Sequence, residues 1–205
     1  MRKGVRGLVV VGILFSSFLL SGCFFNVLQT ARTLHRGEVG LTLGVGLLNF
    51  EVLPLENGEG NLILTPQARL AAGIADGVEL GLHTGIMVSP TAEQPGFLGV
   101  VGDLKLALVH DPDSLSLALG FGGGWSLPMA GWGVQGGIYL DSNLQILPLY
   151  FAYRPILPLT AEEFTIWHQL AMGLHLRLSD TARLLLEVDS FNGLWGIALG
   201  LELGL

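Results

Sequence analysis

Residues 67–88 read QARLAAGIADGVELGLHTGIMV, and this stretch decides the fold. Apolar side chains occupy every second position on either side of the tripeptide at 75–77. Such alternation is typical of β-strands, in which successive side chains point to opposite faces. A three-residue loop with glycine in the left-handed position keeps Ile74 and Val78 on the same face. The stretch therefore predicts a β-hairpin with one apolar face and one face of polar and small residues.

The same alternation recurs from Val39 to the end of the chain. It predicts about ten strands (eight to ten), most of them about as long as a tilted strand must be to cross a bilayer. The connections alternate between tight turns and longer loops, and the longer ones are predicted near 49–64, 89–97, 124–131, 154–163 and 190–193. Short turns at one end and longer loops at the other are typical of an all-β, antiparallel up-and-down transmembrane β-barrel.

Composition excludes several other classes of protein. The chain has 205 residues, of which 50% are hydrophobic and 13% are charged, about half the usual charged fraction of a soluble domain. A disordered chain needs low hydrophobicity and high net charge, and a disulfide scaffold needs more than the single Cys found here. The 30 glycines, and the lack of long apolar runs after the N-terminal segment, disfavour a bundle of membrane helices.

The two faces of the strands predict which side meets lipid. One parity is a nearly charge-free series of Leu, Val and Ile, as lipid contact requires. A soluble, lipocalin-like barrel is the alternative, and it needs this apolar parity inside and a charged exterior. The other parity is predicted to line the lumen and collects Arg69, Glu79, His83, Asp103, Lys105, His175, Arg177, Glu187, Asp189 and Glu202.

Aromatic residues provide a second indication, because Trp and Tyr favour the membrane interface. With the strands drawn from alternation alone, twelve aromatics lie at or near the predicted long-loop ends: Phe50, Phe97, Phe121, Trp125, Trp132, Tyr150, Phe151, Tyr153, Phe164, Trp167, Phe191 and Trp195.

The N-terminus is organised as a secretory signal. Basic residues precede an apolar stretch at 8–20, and small residues follow it. Leu20-Ser21-Gly22-Cys23 resembles the lipobox of bacterial lipoproteins. The resemblance implies a signal peptide over 1–22 and acyl chains on Cys23, followed by a lipidated linker or short helix over 23–36 and the barrel over 37–205. Without residues 1–22 the chain has seven basic and 17 acidic residues, a balance that argues against nucleic-acid binding.

The last strand resembles the C-terminal signal that bacterial barrel-assembly machinery reads, with matches at Gly200, Leu203 and Leu205. Its last residue is usually aromatic, and the position of Ala198 is usually polar, so this chain departs from the pattern twice. Together the resemblances imply a porin-like barrel in the outer membrane of a Gram-negative bacterium, with both termini periplasmic and a lipid anchor at Cys23. The implied partners are outer-membrane lipids, the assembly machinery and the lipoprotein-processing machinery.

Three hypotheses for function remain open. The first is a narrow channel or transporter for small or partly apolar solutes, and the second is a structural or surface-interaction barrel with a plugged lumen. The third, less favoured, is a membrane-embedded enzyme acting on lipid or peptide. The sequence contains no recognisable zinc spacing, phosphate loop or nucleophile motif, so no catalytic residue, metal site or cofactor is predicted. Fold alone does not choose among these hypotheses.

Overall fold

A computed structural model describes residues 27–50, 61–88, 95–110, 114–126, 131–142, 148–161, 164–192 and 194–205. The predicted signal peptide and Cys23 lie outside these residues. Within them there is no helix long and apolar enough to cross a membrane. The described residues form ten strands: β1 (Val39–Phe50), β2 (Asn61–Ala75), β3 (Val78–Met87), β4 (Gly96–His110), β5 (Leu115–Ser126), β6 (Gly131–Ser142), β7 (Leu149–Pro158), β8 (Trp167–Arg177), β9 (Ala182–Phe191) and β10 (Leu194–Gly204).

The strands form one closed antiparallel barrel in which each strand pairs with its neighbours in sequence. The barrel closes where β1 pairs with β10, with Gly44 opposite Gly200. Closure leaves no unpaired strand edge, which is the condition for a sheet to stand in lipid. The predicted all-β, up-and-down barrel is therefore confirmed. We call the end where β1 begins and β2 turns into β3 the short-turn rim, and the opposite end the long-loop rim.

The first hairpin shows how one turn sets the alternation. Gly77 has a φ of 75°, the left-handed conformation predicted for it. Ala75 pairs directly with Val78, and the register shifts between Gly73 and Ala75. This irregularity adds one residue to β2, so Ile74 and Leu80 both point outward, as the apolar alternation requires.

Three predicted connections are wrong. β7 continues to Pro158, so residues 154–158 belong to a strand and not to the predicted loop over 154–163. Asp141 lies inside β6, although the alternation places Asp141-Ser142-Asn143 in a tight turn. Only residues 192–193 separate β9 from β10, so the longer loop predicted over 190–193 is a short connection. In β7 the charged Arg154 and two prolines interrupt the alternation, but the ladder pairing with β6 continues to Pro158.

The outer surface of the barrel is apolar and the interior is polar. Leu, Ile, Val and Met side chains of the predicted lipid parity point outward along the strands, and Leu82 in the middle of β3 is 53% exposed. Buried polar side chains are numerous and include Arg69, Asp103 and Glu187. The soluble-barrel alternative, which needs the apolar parity inside, is therefore wrong.

The aromatic interpretation holds only in part. Phe97, Trp132, Phe164 and Trp195 lie near the long-loop rim and are exposed, as an interfacial ring requires. Tyr150 and Phe151, by contrast, lie at the short-turn end of β7, because that strand starts at Leu149. Tyr150 also points into the lumen, where it is buried.

Candidate functional site

The interior of the barrel holds a piece of the chain that precedes the first strand. Residues 27–34, which we call the lumen plug, contain no helix. Val27 packs inside against Ala152 and Ala171, whereas the chain leaves the lumen at Gly37, whose N–H donates to the Gly73 carbonyl 2.8 Å away at the short-turn rim. The plug therefore runs from the middle of the lumen to the short-turn rim. The sequence predicts only a linker or short helix here, so its position inside the barrel is a result of the structure.

Glycines on the inward parity provide the space that the plug occupies. A Cβ on Gly44 would overlap the Leu28 side chain, and Gly200 faces the same leucine. A Cβ on Gly73 would overlap the backbone carbonyl of His35. Side chains at these positions would occupy the volume in which the plug lies, so part of the high glycine content reflects this close approach.

Glu187 is the deepest polar contact of the plug. Its carboxylate accepts the backbone N–H groups of Val27 and Leu28, each at 2.7 Å, and the hydroxyl of Tyr150 at 2.9 Å. These hydrogen bonds are buried inside the lumen, and each has a net contribution of about 0.5–1.5 kcal/mol. The carboxylate thus satisfies two amides that would otherwise be buried without a partner.

A Glu187→Gln substitution should weaken this docking, because a neutral amide offers one acceptor oxygen and turns its NH₂ group towards N–H donors. Leaving one of these buried N–H groups without an acceptor costs about 1–3 kcal/mol, which corresponds to roughly fivefold or more in the docking equilibrium. We expect hydrogen exchange of the Val27 and Leu28 amides to accelerate by that factor. Glu202→Gln, at a partly exposed pair away from these amides, is the control; equal exchange in both variants would show that Glu187 does not hold the plug.

A buried ion network secures the plug closer to the short-turn rim. Arg69 Nη2 lies 2.8 Å from Glu79 Oε1 and 2.6 Å from Asp103 Oδ1, and Lys105 Nζ lies 3.0 Å from the same Glu79 oxygen. The network reaches the plug at two points. The N–H of Leu34 donates to Glu79 at 3.0 Å, and Lys105 donates to the Thr30 carbonyl at 3.3 Å. Charges of both signs thus compensate one another inside the barrel, as buried charges must.

The other lumen-facing residues predicted from sequence make separate contacts. His83 Nε2 is 3.2 Å from the side-chain oxygen of Gln67, and His175 Nε2 is 2.6 Å from Asp141 Oδ1. Arg177 and Glu202 lie nearer the short-turn rim, paired with Asp180 at 2.5 Å and with Arg183 at 3.5 Å.

The sequence misses several buried lumen residues. Arg154 falls in a predicted loop, Asp141 in a predicted turn, and Tyr150 is assigned to the interface. Gln67 and Gln169 lie on the predicted inward parity, but only its charged residues and histidines are predicted to be site residues. Arg154 and Tyr150 both lie on the inward parity of β7, so continuing the alternation beyond Tyr153 would have identified Arg154.

A cavity of about 380 Å³ remains between the plug and the wall on the short-turn side. Arg32 of the plug lines it together with Arg183 and Glu202, and the Arg69–Glu79–Lys105 network forms part of its wall. The described lumen is therefore filled from its middle to this cavity. Passage of a solute past residues 27–34 requires that they move.

No protein-family model matches the sequence, and no curated protein matches it. Among solved structures, the chain is similar to the N-terminal β-barrel domain of Pseudomonas aeruginosa OprF, with 12% identity, a TM-score of 0.38, and coverage of 84% of this chain and 100% of that chain. The KdgM porin shows 10% identity, a TM-score of 0.39 and coverage of 80% and 98%. A de novo designed transmembrane β-barrel shows 16% identity, a TM-score of 0.38 and coverage of 85% and 100%.

Proposed function

We propose that the chain is a bacterial outer-membrane β-barrel whose narrow polar lumen is a channel for small solutes, closed by its own plug. The membrane location is supported by the apolar outer face, because such a surface is stable against lipid and costly in water. The channel is supported by one observation above others. The segment that fills the lumen is distinct from the barrel wall and is held by hydrogen bonds to Glu187 and Glu79. It can therefore be displaced while the wall stays intact.

A structural barrel is the second candidate, and the buried ion network favours it. Arg69, Glu79, Asp103 and Lys105 bridge three adjacent strands across the lumen, which stiffens the wall and narrows the space. Barrels of about eight strands are often filled by their own side chains. In this alternative the plug is a permanent part of the core, and the protein acts through its outer loops or as a membrane scaffold.

The lipoprotein character is part of the proposal and rests on the lipobox-like sequence ending at Cys23. The signal peptide, lipid attachment and periplasmic termini belong to it equally. Cys23 precedes Val27 by four residues, a length of at most about 14 Å. When the plug is docked, the chain at Val27 points away from the short-turn rim. An anchor in the periplasmic leaflet is therefore compatible with an undocked plug.

Conductance of the full chain in planar bilayers tests the channel. We expect the protein without acyl chains on Cys23 to be mostly silent, because its plug is docked. Gly73→Ala should raise the open probability at least tenfold, since the new methyl group meets the backbone of His35, which cannot rotate away. Gly102→Ala is the matched control, because nothing lies closer than 4.0 Å to a Cβ at that position.

The outcomes separate the two candidates. Channel events in Gly73→Ala and not in Gly102→Ala support a plugged channel. Silence in both variants, with heat-modifiable gel migration showing that both are folded, contradicts the channel and leaves the structural barrel. A steady, open conductance in the protein without acyl chains contradicts the plug as the closing element.

A further inference from the structure

Arg154 is a buried charge that the described residues leave without compensation. It lies in the middle of β7 on the inward parity, and it is 1% exposed. Its Nη2 donates to the Gln135 side-chain oxygen at 3.1 Å, and its Nε and Nη1 have no hydrogen-bond partner among the described residues. Gln135 is neutral, so this bond supplies a dipole but no opposite charge.

The carboxylates in the described part of the lumen are engaged elsewhere. Asp103 pairs with Arg69, Asp141 with His175, and Glu187 with the plug amides. Asp189 accepts a hydrogen bond from Gln169 at 3.2 Å. Within the described residues, no carboxylate lies within 4 Å of the Arg154 guanidinium, although each of the other buried cations, Arg69 and Lys105, has one.

An isolated buried guanidinium is energetically costly, and arginine does not relieve the cost by losing its proton. Native proteins therefore give a buried charge a counter-charge or a ligand. Unsatisfied N–H groups on two nitrogens of one cation have the chemistry of an anion site. A neutral water could accept hydrogen bonds here, but it would leave the positive charge uncompensated.

Arg154 lies at the inner end of the plug. Ala152 is the preceding inward residue of β7, and it packs in the same cluster as Val27 and Ala171. Arg154 is therefore one inward position closer to the long-loop rim than the wall residues that contact Val27. On β6 the ladder is interrupted at Gly136 and Gly137, opposite Arg154 and Pro155. The Tyr139 ring covers Gly137 on the lumen side.

We propose that Arg154 binds a small monovalent anion, a halide or a carboxylate, in the lumen on the long-loop side of the plug. Such a site makes Arg154 the residue that selects for anions in the proposed channel. This selectivity role rests on the proposed function. Binding itself needs only the folded barrel. Anion binding and conductance can therefore fail independently of each other.

The test uses the full chain folded in detergent micelles at constant ionic strength. Bulky gluconate is replaced stepwise by bromide in one series and by acetate in another, and the thermal midpoint is followed by circular dichroism. We expect the thermal midpoint to rise with the logarithm of the anion concentration, by about 5–10 °C at a concentration 100 times the dissociation constant. The series in which the rise begins at the lower concentration identifies the halide or the carboxylate as the preferred anion.

Arg154→Gln should abolish the anion dependence, and Arg154→Lys should retain part of it, since the charge stays but the fixed donors are lost. Arg36→Gln, at an exposed arginine near the short-turn rim, should respond like the unaltered chain. An anion dependence that survives in Arg154→Gln, or that is missing from the unaltered chain, overturns the site.

Crystals of the unaltered protein soaked in bromide provide a readout that does not depend on a variant folding. An anomalous peak within hydrogen-bond distance of the Arg154 Nε or Nη1 supports the site. A lumen without bromide at Arg154 overturns the halide form, and a matching absence of acetate density overturns the proposal as a whole. Conductance without anion binding would overturn the Arg154 site and leave the channel, whereas binding without conductance would contradict the channel and leave the site.

Discussion

Replacing Leu82 by Arg is expected to destabilise the folded barrel in lipid by about 2–4 kcal/mol, the cost of a cationic side chain near the bilayer midplane. Leu82 lies in the middle of β3 and points outward. In a bilayer the guanidinium must lie among acyl chains or stretch towards an interface, and either solution is costly. The free energy of unfolding should be measured by urea titration in phosphatidylcholine vesicles, with folding followed by heat-modifiable gel migration.

Ile74→Arg is the matched control, since Ile74 points outward from the same sheet but lies one residue from the end of β2 at the short-turn rim. Near an interface the cost should fall to about 0–1 kcal/mol. A difference between the two sites is therefore the signature of a membrane-spanning wall. Equal and small effects at both positions would contradict a lipid-facing outer surface.

Removing the positive charge of Arg69 should have the second large effect. Arg69→Met leaves Glu79 and Asp103 buried with one fewer cation, and breaking a buried pair in this way typically costs about 3–5 kcal/mol. Lys105 still contacts Glu79, so the unpaired charge falls mainly on Asp103. The same urea titration measures the loss.

Two further variants give this prediction its controls. Arg183→Met removes a partly exposed arginine whose pairing with Glu202 spans 3.5 Å, and such a pair contributes about 0–1 kcal/mol. Adding Asp103→Asn to Arg69→Met should restore part of the lost stability, because it removes the carboxylate left without a partner. If the double variant were no more stable than Arg69→Met, an uncompensated Asp103 could not be the cause of the loss.

Much of the wall could be predicted from the sequence because a strand repeats every two residues. The alternation around residues 67–88 is sufficient to give a hairpin, its outward face and its turn at Gly77. Strand ends were less predictable. β7 extends five residues beyond Tyr153, since ladder hydrogen bonds continue where the outward apolar pattern has weakened. The same error assigned Arg154 to a loop.

The contents of the lumen could not be predicted, because they depend on contacts between residues far apart in the chain. Glu187 meets the amides of Val27 and Leu28 across about 160 positions of sequence, and no local pattern encodes that meeting. The pairing of Arg69 with Asp103 was foreseeable only as one of several combinations of inward charges. The registers of β2, β3 and β4 select which of them face each other.

The sequence by itself determined that this chain is an antiparallel barrel with an apolar outside, because both properties follow from a period of two repeated along the whole chain. It determined the composition of the interior, but not its arrangement. The tertiary structure alone decided that residues 27–34 fill the lumen, that Glu187 holds them and that no carboxylate in the described part of the chain pairs with Arg154. The physical reason is that a closed barrel brings ten strands around one narrow axis. A polar group buried there needs a hydrogen-bond partner or a counter-charge, so the position of each partner decides how the interior is arranged.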